Sequence, residues 1–146
     1  MPLFIWEDRY TVGVTEIDEH HRHLVSLLNK AYQDFLHHAS PSELSMLFHE
    51  LIDYATYHFS FEEEKMQASQ YPETAAHKGE HNEFIRRVVE MHTRYEHRER
   101  ILFLEILCFL QNWLTHHILE VDVELGRFLT AAPGKPPVKG SVYDNI

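Results

Sequence analysis

The chain has 146 residues, of which 44% are hydrophobic and 25% charged, which suits one globular domain with one substantial core and excludes a disordered chain. Thirteen Lys and Arg against 23 Asp and Glu leave a net charge of −10, so phosphate backbones are poor partners and no nucleic-acid role is expected. One cysteine excludes an internal disulfide and a CxxC zinc knuckle, whereas thirteen histidines raise the question of a metal.

Residues 1–16 carry Phe4, Ile5, Trp6, Tyr10, Val12 and Val14 around Gly13 without a helical period, and are expected to form an extended arm against the rest of the chain. The first eight residues lack the basic region of a signal peptide, so a cytoplasmic location is the expectation. Thr15 with Asp18 three residues later forms a loose capping box and opens a predicted helix over 16–38. Ser40-Pro41-Ser42-Glu43 is a sharper one, with proline at the first helical position, and starts a second helix reaching 67 or 68. Tyr71-Pro72 opens a third helix, to 95, with Gly79 a weak point inside it. A fourth spans 97–129. Its apolar run, 101–110, is interrupted by Glu105 and falls short of the roughly 20 residues that span a bilayer. Cys108 lies in that run and is expected to be a small buried hydrophobe. Residues 131–146, rich in Pro and Gly, read as a flexible tail. There is no strand pattern and no repeat. The prediction is an all-α, antiparallel up-down-up-down four-helix bundle with an extended N-terminal arm over residues 1–130, followed by the tail.

The inward stripe of each helix follows heptad-like spacing. It runs through Ile17, His21, Leu24, Leu28, Ala31 and Phe35 in the first helix, and through Leu44, Leu47, Leu51, Ala55, His58, Glu62 and Met66 in the second. The third contributes His77, His81, Phe84, Val88 and Met91, and the fourth Phe103, Leu107, Leu110, Leu114, His117 and Val121. Five histidines and a glutamate thus occupy core register on all four helices, and in an up-down bundle all six fall at one end. Buried without partners they would cost several kcal/mol. His77/His81 and His58/Glu62 are i,i+4 pairs, about 40° apart around a helix, so each pair aims at one centre. Five imidazoles and a carboxylate exceed a four-ligand zinc site and suit two first-row metals sharing bridging oxygens. No glutamate here has a histidine three residues later, which excludes the ferritin-like Glu-x-x-His class.

The runs Ile17-Asp18-Glu19-His20-His21, His58-Phe59-Ser60-Phe61-Glu62-Glu63, His77-x-x-x-His81 and Trp113-Leu114-Thr115-His116-His117-Ile118-x-x-x-Asp122 resemble bacterial hemerythrin, as does the arm segment from Trp6 to Val14. The resemblance covers about residues 6–129. It implies that His77, His81 and His117 bind one iron and His21 and His58 another. Glu62 and Asp122 would bridge two iron ions (Fe2+/Fe3+) together with an oxo or hydroxo group. Asp122 comes from the motif alone. It lies five residues beyond His117, about 140° around an ideal helix, and spacing would select Glu120 or leave Val121 as core.

By the same resemblance the His21/His58 iron keeps one open position, where dioxygen binds reversibly, and Leu24, Phe59, Trp113 and Ile118 line an apolar oxygen pocket. The implied function is oxygen storage, transport or delivery, not enzymatic catalysis. An oxygen, redox or iron sensor acting through a protein partner is the second reading, and a di-iron enzyme the third. His20 occupies a position where the family often has glutamine. His37 and His38 end the first helix, where imidazolium favours the helix C-terminus, and His49, His92, His97 and His116, with Glu63, Glu64, Arg86 and Arg87, are expected to be solvated.

Overall fold

The computed structural model of the chain describes residues 2–95 and 100–131. Four long helical rods form it: α1 (Thr15–Leu36), α2 (Pro41–Ser69), α3 (Thr74–Tyr95), and a fourth made of α4 (Arg100–His116), a π-helical turn (His117–Asp122) and α5 (Val123–Thr130). α1 packs on α2 and α4, and α3 packs on α2 and α4, so the rods close a ring of neighbours around one core. This is the expected all-α bundle, and no strand occurs among the described residues. Of the expected tail, residues 131–146, all but the first lie outside the described residues, as do His97 and the expected start of the fourth helix. No helix among the described residues is long and apolar enough to cross a membrane.

The helix starts follow local chemistry. At α2 the Ser40 hydroxyl accepts from the Glu43 amide at 3.1 Å, the N-cap bond of the expected capping box, and the Glu43 carboxylate accepts from that hydroxyl and not from the Ser40 amide. At α1 the roles are reversed from the expectation. Thr15 is already helical, and the buried Asp18 carboxylate instead accepts from the Val12 and Gly13 amides of the arm, at 2.8 and 3.2 Å. α3 begins at Thr74 and not at Tyr71-Pro72, because the Thr74 amide and hydroxyl both bond back to the Tyr71 carbonyl in a preceding turn.

The arm is moored at two further points. Asn29 accepts from the Phe4 amide and donates to the Phe4 carbonyl, each at 2.8 Å. Near its other end Val12 lies directly against Gly126 of α5, where a Cβ would overlap the Val12 carbonyl oxygen. Gly13 holds φ +93°, which a side chain disfavours, and this turns the chain from the arm into α1.

The core stripes are as expected over most of their length: Ile17, Leu28, Met66, Phe103 and Leu107 are at most 1% exposed. Cys108 is a correction. It is exposed, because the buried residues of α4 among those described are Phe103, Ile106, Leu107, Leu110 and Leu114, and Cys108 lies one step round from Leu107 on the solvent face with Glu105 and Asn112.

Candidate metal centre

At one end of the bundle the core stops being apolar. His21 comes from α1, His58 and Glu62 from α2, His77 and His81 from α3, and His117 and Asp122 from the π turn. All seven are at most 2% exposed. They fall into two groups of converging donor atoms that share both carboxylates. One holds His77, His81, His117, Glu62 and Asp122, and the other His21, His58, Glu62 and Asp122. The structure thus brings the seven residues singled out in the sequence together at one end of the bundle.

Asp122 reaches the group because the fourth rod is not α-helical there. The Val123 amide bonds to the Ile118 carbonyl, an i→i+5 bond, so the turn from His117 to Asp122 takes up one residue more than an α-turn. Five residues then bring the carboxylate back under the imidazole, and Val121, which regular spacing selects, is only half-buried.

The distances are short, yet apart from His81 Nε2 and Glu62 Oε1, which hydrogen-bond at 3.1 Å, the angles are not those of hydrogen bonds. His21 Nε2 lies 2.9 Å from Asp122 Oδ2, while His77 and His117 Nε2 lie 3.0 and 3.1 Å from Asp122 Oδ1. His58 and His77 Nε2 are each 3.5 Å from Glu62 Oε1. Yet both Asp122 oxygens, Glu62 Oε2 and the Nε2 atoms of His21, His58, His77 and His117 have no hydrogen-bond partner. Buried polar atoms are rarely left so. Lone pairs that crowd together while aiming past one another are what a shared cation satisfies, so the residues present fit a metal centre with nitrogen and carboxylate donors.

The far ring nitrogens are held from behind. His81 Nδ1 donates to Glu63 Oε2 at 2.9 Å, and His117 Nδ1 donates to Glu80 Oε1 at 3.0 Å. His58 Nδ1 faces His20 Nδ1 at 2.9 Å. Fixing the remote nitrogen sets the tautomer and turns Nε2 toward the centre. These three backing residues are what sequence reasoning missed. Glu63 was expected to be solvated; it is instead partly buried against His81. Its signal, a second carboxylate next to Glu62, does not separate it from the exposed Glu64. His92 is a further correction, being half-buried with its ring stacked on Phe48 at 4.8 Å.

Electrostatics follow from burial. Burial pushes His58 down to about 3, despite the pull of Glu62. Burial acts the same way on His77 and His117, but Asp122 and Glu62 beside them win and hold these imidazoles up at about 9 and 10. For Glu62, burial and Asp122 push upward and the surrounding histidines outweigh them, giving about 2. Asp122 is held well below the usual carboxylate range, its burial being overcome chiefly by His117.

An apolar cavity adjoins the centre, lined by Leu24, Phe59, Trp113 and further residues including Leu28, Phe84 and Leu114. Phe59 stacks on His81 at 4.0 Å and Trp113 on His117 at 4.3 Å. Ile118, the fourth expected pocket residue, is fully buried in the core but does not line this cavity.

The family model of the hemerythrin HHE cation binding domain matches residues 12–129. A bacteriohemerythrin of Stenotrophomonas maltophilia is 38% identical over 120 residues, covering 81% of this chain and 76% of that protein. One from Clostridium acetobutylicum is 31% identical, covering 84% of this chain and 98% of the relative. The crystal structure of a wild-type hemerythrin superposes with a TM-score of 0.79 at 27% identity, over 88% of this chain and 99% of the other. Likeness of this extent, in sequence and in backbone, has one reading: the chain belongs to the hemerythrin family.

Proposed function

We propose that this protein binds dioxygen reversibly at a non-heme di-iron centre and serves oxygen storage, transport or delivery. The observation that carries the reading is the pair of unequal donor sets sharing Glu62 and Asp122. In this reading His77, His81 and His117 would hold one iron and His21 and His58 the other, Glu62 and Asp122 would serve both, and an oxo or hydroxo group would complete the centre. When bound, two ferrous ions supply the two electrons, one from each, that dioxygen takes up on reversible binding.

The chain's own residues define where that happens. The His21/His58 set offers one imidazole fewer than the other, so dioxygen would be accommodated on that side. Leu24, one turn from His21, and Phe59, next to His58, both line the apolar cavity, whose aromatic members Phe59 and Trp113 also stack on His81 and His117. Every residue lining the cavity is apolar, with only the Trp113 indole carrying an N–H, so the wall admits an uncharged diatomic and offers few protons for cleaving it. Water is a poor occupant of such a space. That favours binding and release over turnover, and it supports the carrier reading over the enzymatic one.

The test is a visible absorption titration of the reduced, iron-loaded protein with dioxygen, followed by removal of the gas, with iron measured at two per chain. A charge-transfer band that forms and then disappears is the expected result. A band that never forms, or that decays at once to the oxidised protein, overturns reversible binding. Absence of any iron-dependent spectrum overturns the di-iron reading as well.

A further inference from the structure

The two donor sets differ in what stands behind them. In the larger set, carboxylates back two of three histidines: Glu63 accepts from His81 Nδ1 and Glu80 from His117 Nδ1. In the smaller set His21 Nδ1 has no hydrogen-bond partner, and His58 Nδ1 meets only the imidazole of His20. Two ring nitrogens 2.9 Å apart share one proton between them. For His58 to present a lone pair at Nε2, that proton sits on its Nδ1, and His20 accepts through an unprotonated Nδ1. The surroundings keep His20 in that role. Its side chain is 8% exposed, with its ring edge-on to Phe61 at 4.9 Å and to Tyr54 at 5.8 Å, and tilted against Tyr57 at 5.2 Å. A carboxylate behind a ligating imidazole makes it a stronger donor, and a neutral imidazole in the same place does so far less.

We propose that His20 is a positioning residue that orients His58 and makes the His21/His58 set the weaker of two metal sites, so that divalent metal loads in order, first on His77, His81 and His117 and then on His21 and His58. This rests on the two-metal reading above. Both the missing third histidine and the neutral backing group act in the same direction, and only the second of these can be altered without touching a donor to the centre.

Cobalt(II) titration of the metal-free protein, followed by visible absorption and by calorimetry, reads the two equivalents separately. The unaltered protein is expected to bind two, the second more weakly. His20→Ala is expected to weaken the second equivalent by about 10–100-fold and to leave the first within about twofold, since groups that hydrogen-bond the far nitrogen of a ligating imidazole typically carry effects of that size. His20→Gln retains a side-chain acceptor and is expected to restore most of the loss, whereas His20→Glu places a carboxylate behind His58 and is expected to tighten the second equivalent beyond that of His20→Gln. Equal weakening of both equivalents in His20→Ala would reduce His20 to a packing residue, and an unchanged second equivalent would remove its role altogether. Should His20→Ala fail to fold, the order of the Gln and Glu variants decides, and the reverse order overturns the proposal. One equivalent in the unaltered protein overturns the two-metal reading itself, a result distinguishable from all of these.

Discussion

Replacing glycine by alanine is expected to have opposite effects at two helical positions of this chain. In both α3 and α5 the exchange gains about 1 kcal/mol of helix propensity. At Gly79 the space is open, with nothing within 4 Å of a new Cβ, so Gly79→Ala is expected to keep that gain. At Gly126 the new Cβ would overlap the Val12 carbonyl oxygen and lie 2.9 Å from Val12 Cβ. Neither is the far end of a flexible side chain, so the arm itself has to move. Overpacking of this kind costs about 1–3 kcal/mol. Moving Val12 also strains the two bonds it and Gly13 make to the buried Asp18 carboxylate, and leaving that group unsatisfied costs about 1–3 kcal/mol more. Overlap therefore beats propensity, for a net loss of about 3 kcal/mol. At about 3 °C per kcal/mol for a chain of this size, Gly79→Ala should raise Tm by about 3 °C and Gly126→Ala should lower it by about 9 °C. Thermal unfolding of the metal-free protein, checked by denaturant midpoints, measures both. A Gly126→Ala protein as stable as the unaltered one would refute the close approach of arm and helix.

In the metal-free protein, stability is expected to peak near pH 6.5. His58 takes up its proton only near 3 when folded and near 6.5 when unfolded, so acidification through that window destabilises; His77 and His117 hold theirs to about 9 and 10, so their contribution is complete below 6.5 and lost as pH rises toward 10. A Tm that is flat from pH 5 to pH 9 would contradict this. Metal competes for the same nitrogens, so uptake at pH 7–8 should release protons, measurable with a pH indicator in weak buffer. Ser40→Ala removes the acceptor for the Glu43 amide and should cost about 1 kcal/mol, with the metal stoichiometry unchanged; loss of metal in that variant would show that the start of α2 reaches the centre, some twenty residues away.

Much of the bundle was legible because its core obeys one period. Residues such as Leu24, Leu28, Phe84 and Leu110 recur where a helix must face its neighbours, and the capping box at Ser40 announces itself by residue type. Five histidines and Glu62 stood out for the same reason, being polar groups on an apolar period. What the sequence hid lies where the period fails or where position depends on another helix. Asp122 breaks the spacing, since a π turn leaves no residue signature of its own and only the hemerythrin motif pointed to it. Glu63, Glu80 and His20 act across helices, on His81, His117 and His58, and no spacing within one helix could pair them. Cys108 was misread because an apolar run was treated as buried all round, whereas α4 buries one stripe of it.

The π turn also bears on how the chain tolerates changes of length. Gain or loss of a residue in an α-helix swings everything beyond it by about 100°, which would carry the rest of the fourth rod out of the bundle. Between His117 and Asp122 one surplus residue is already folded in, and beyond it Leu125 returns to full burial on the same side as Leu114 and Ile118. This is therefore the place along the rod where a one-codon deletion would leave both flanks in phase, shortening only the step between His117 and the carboxylate that follows it.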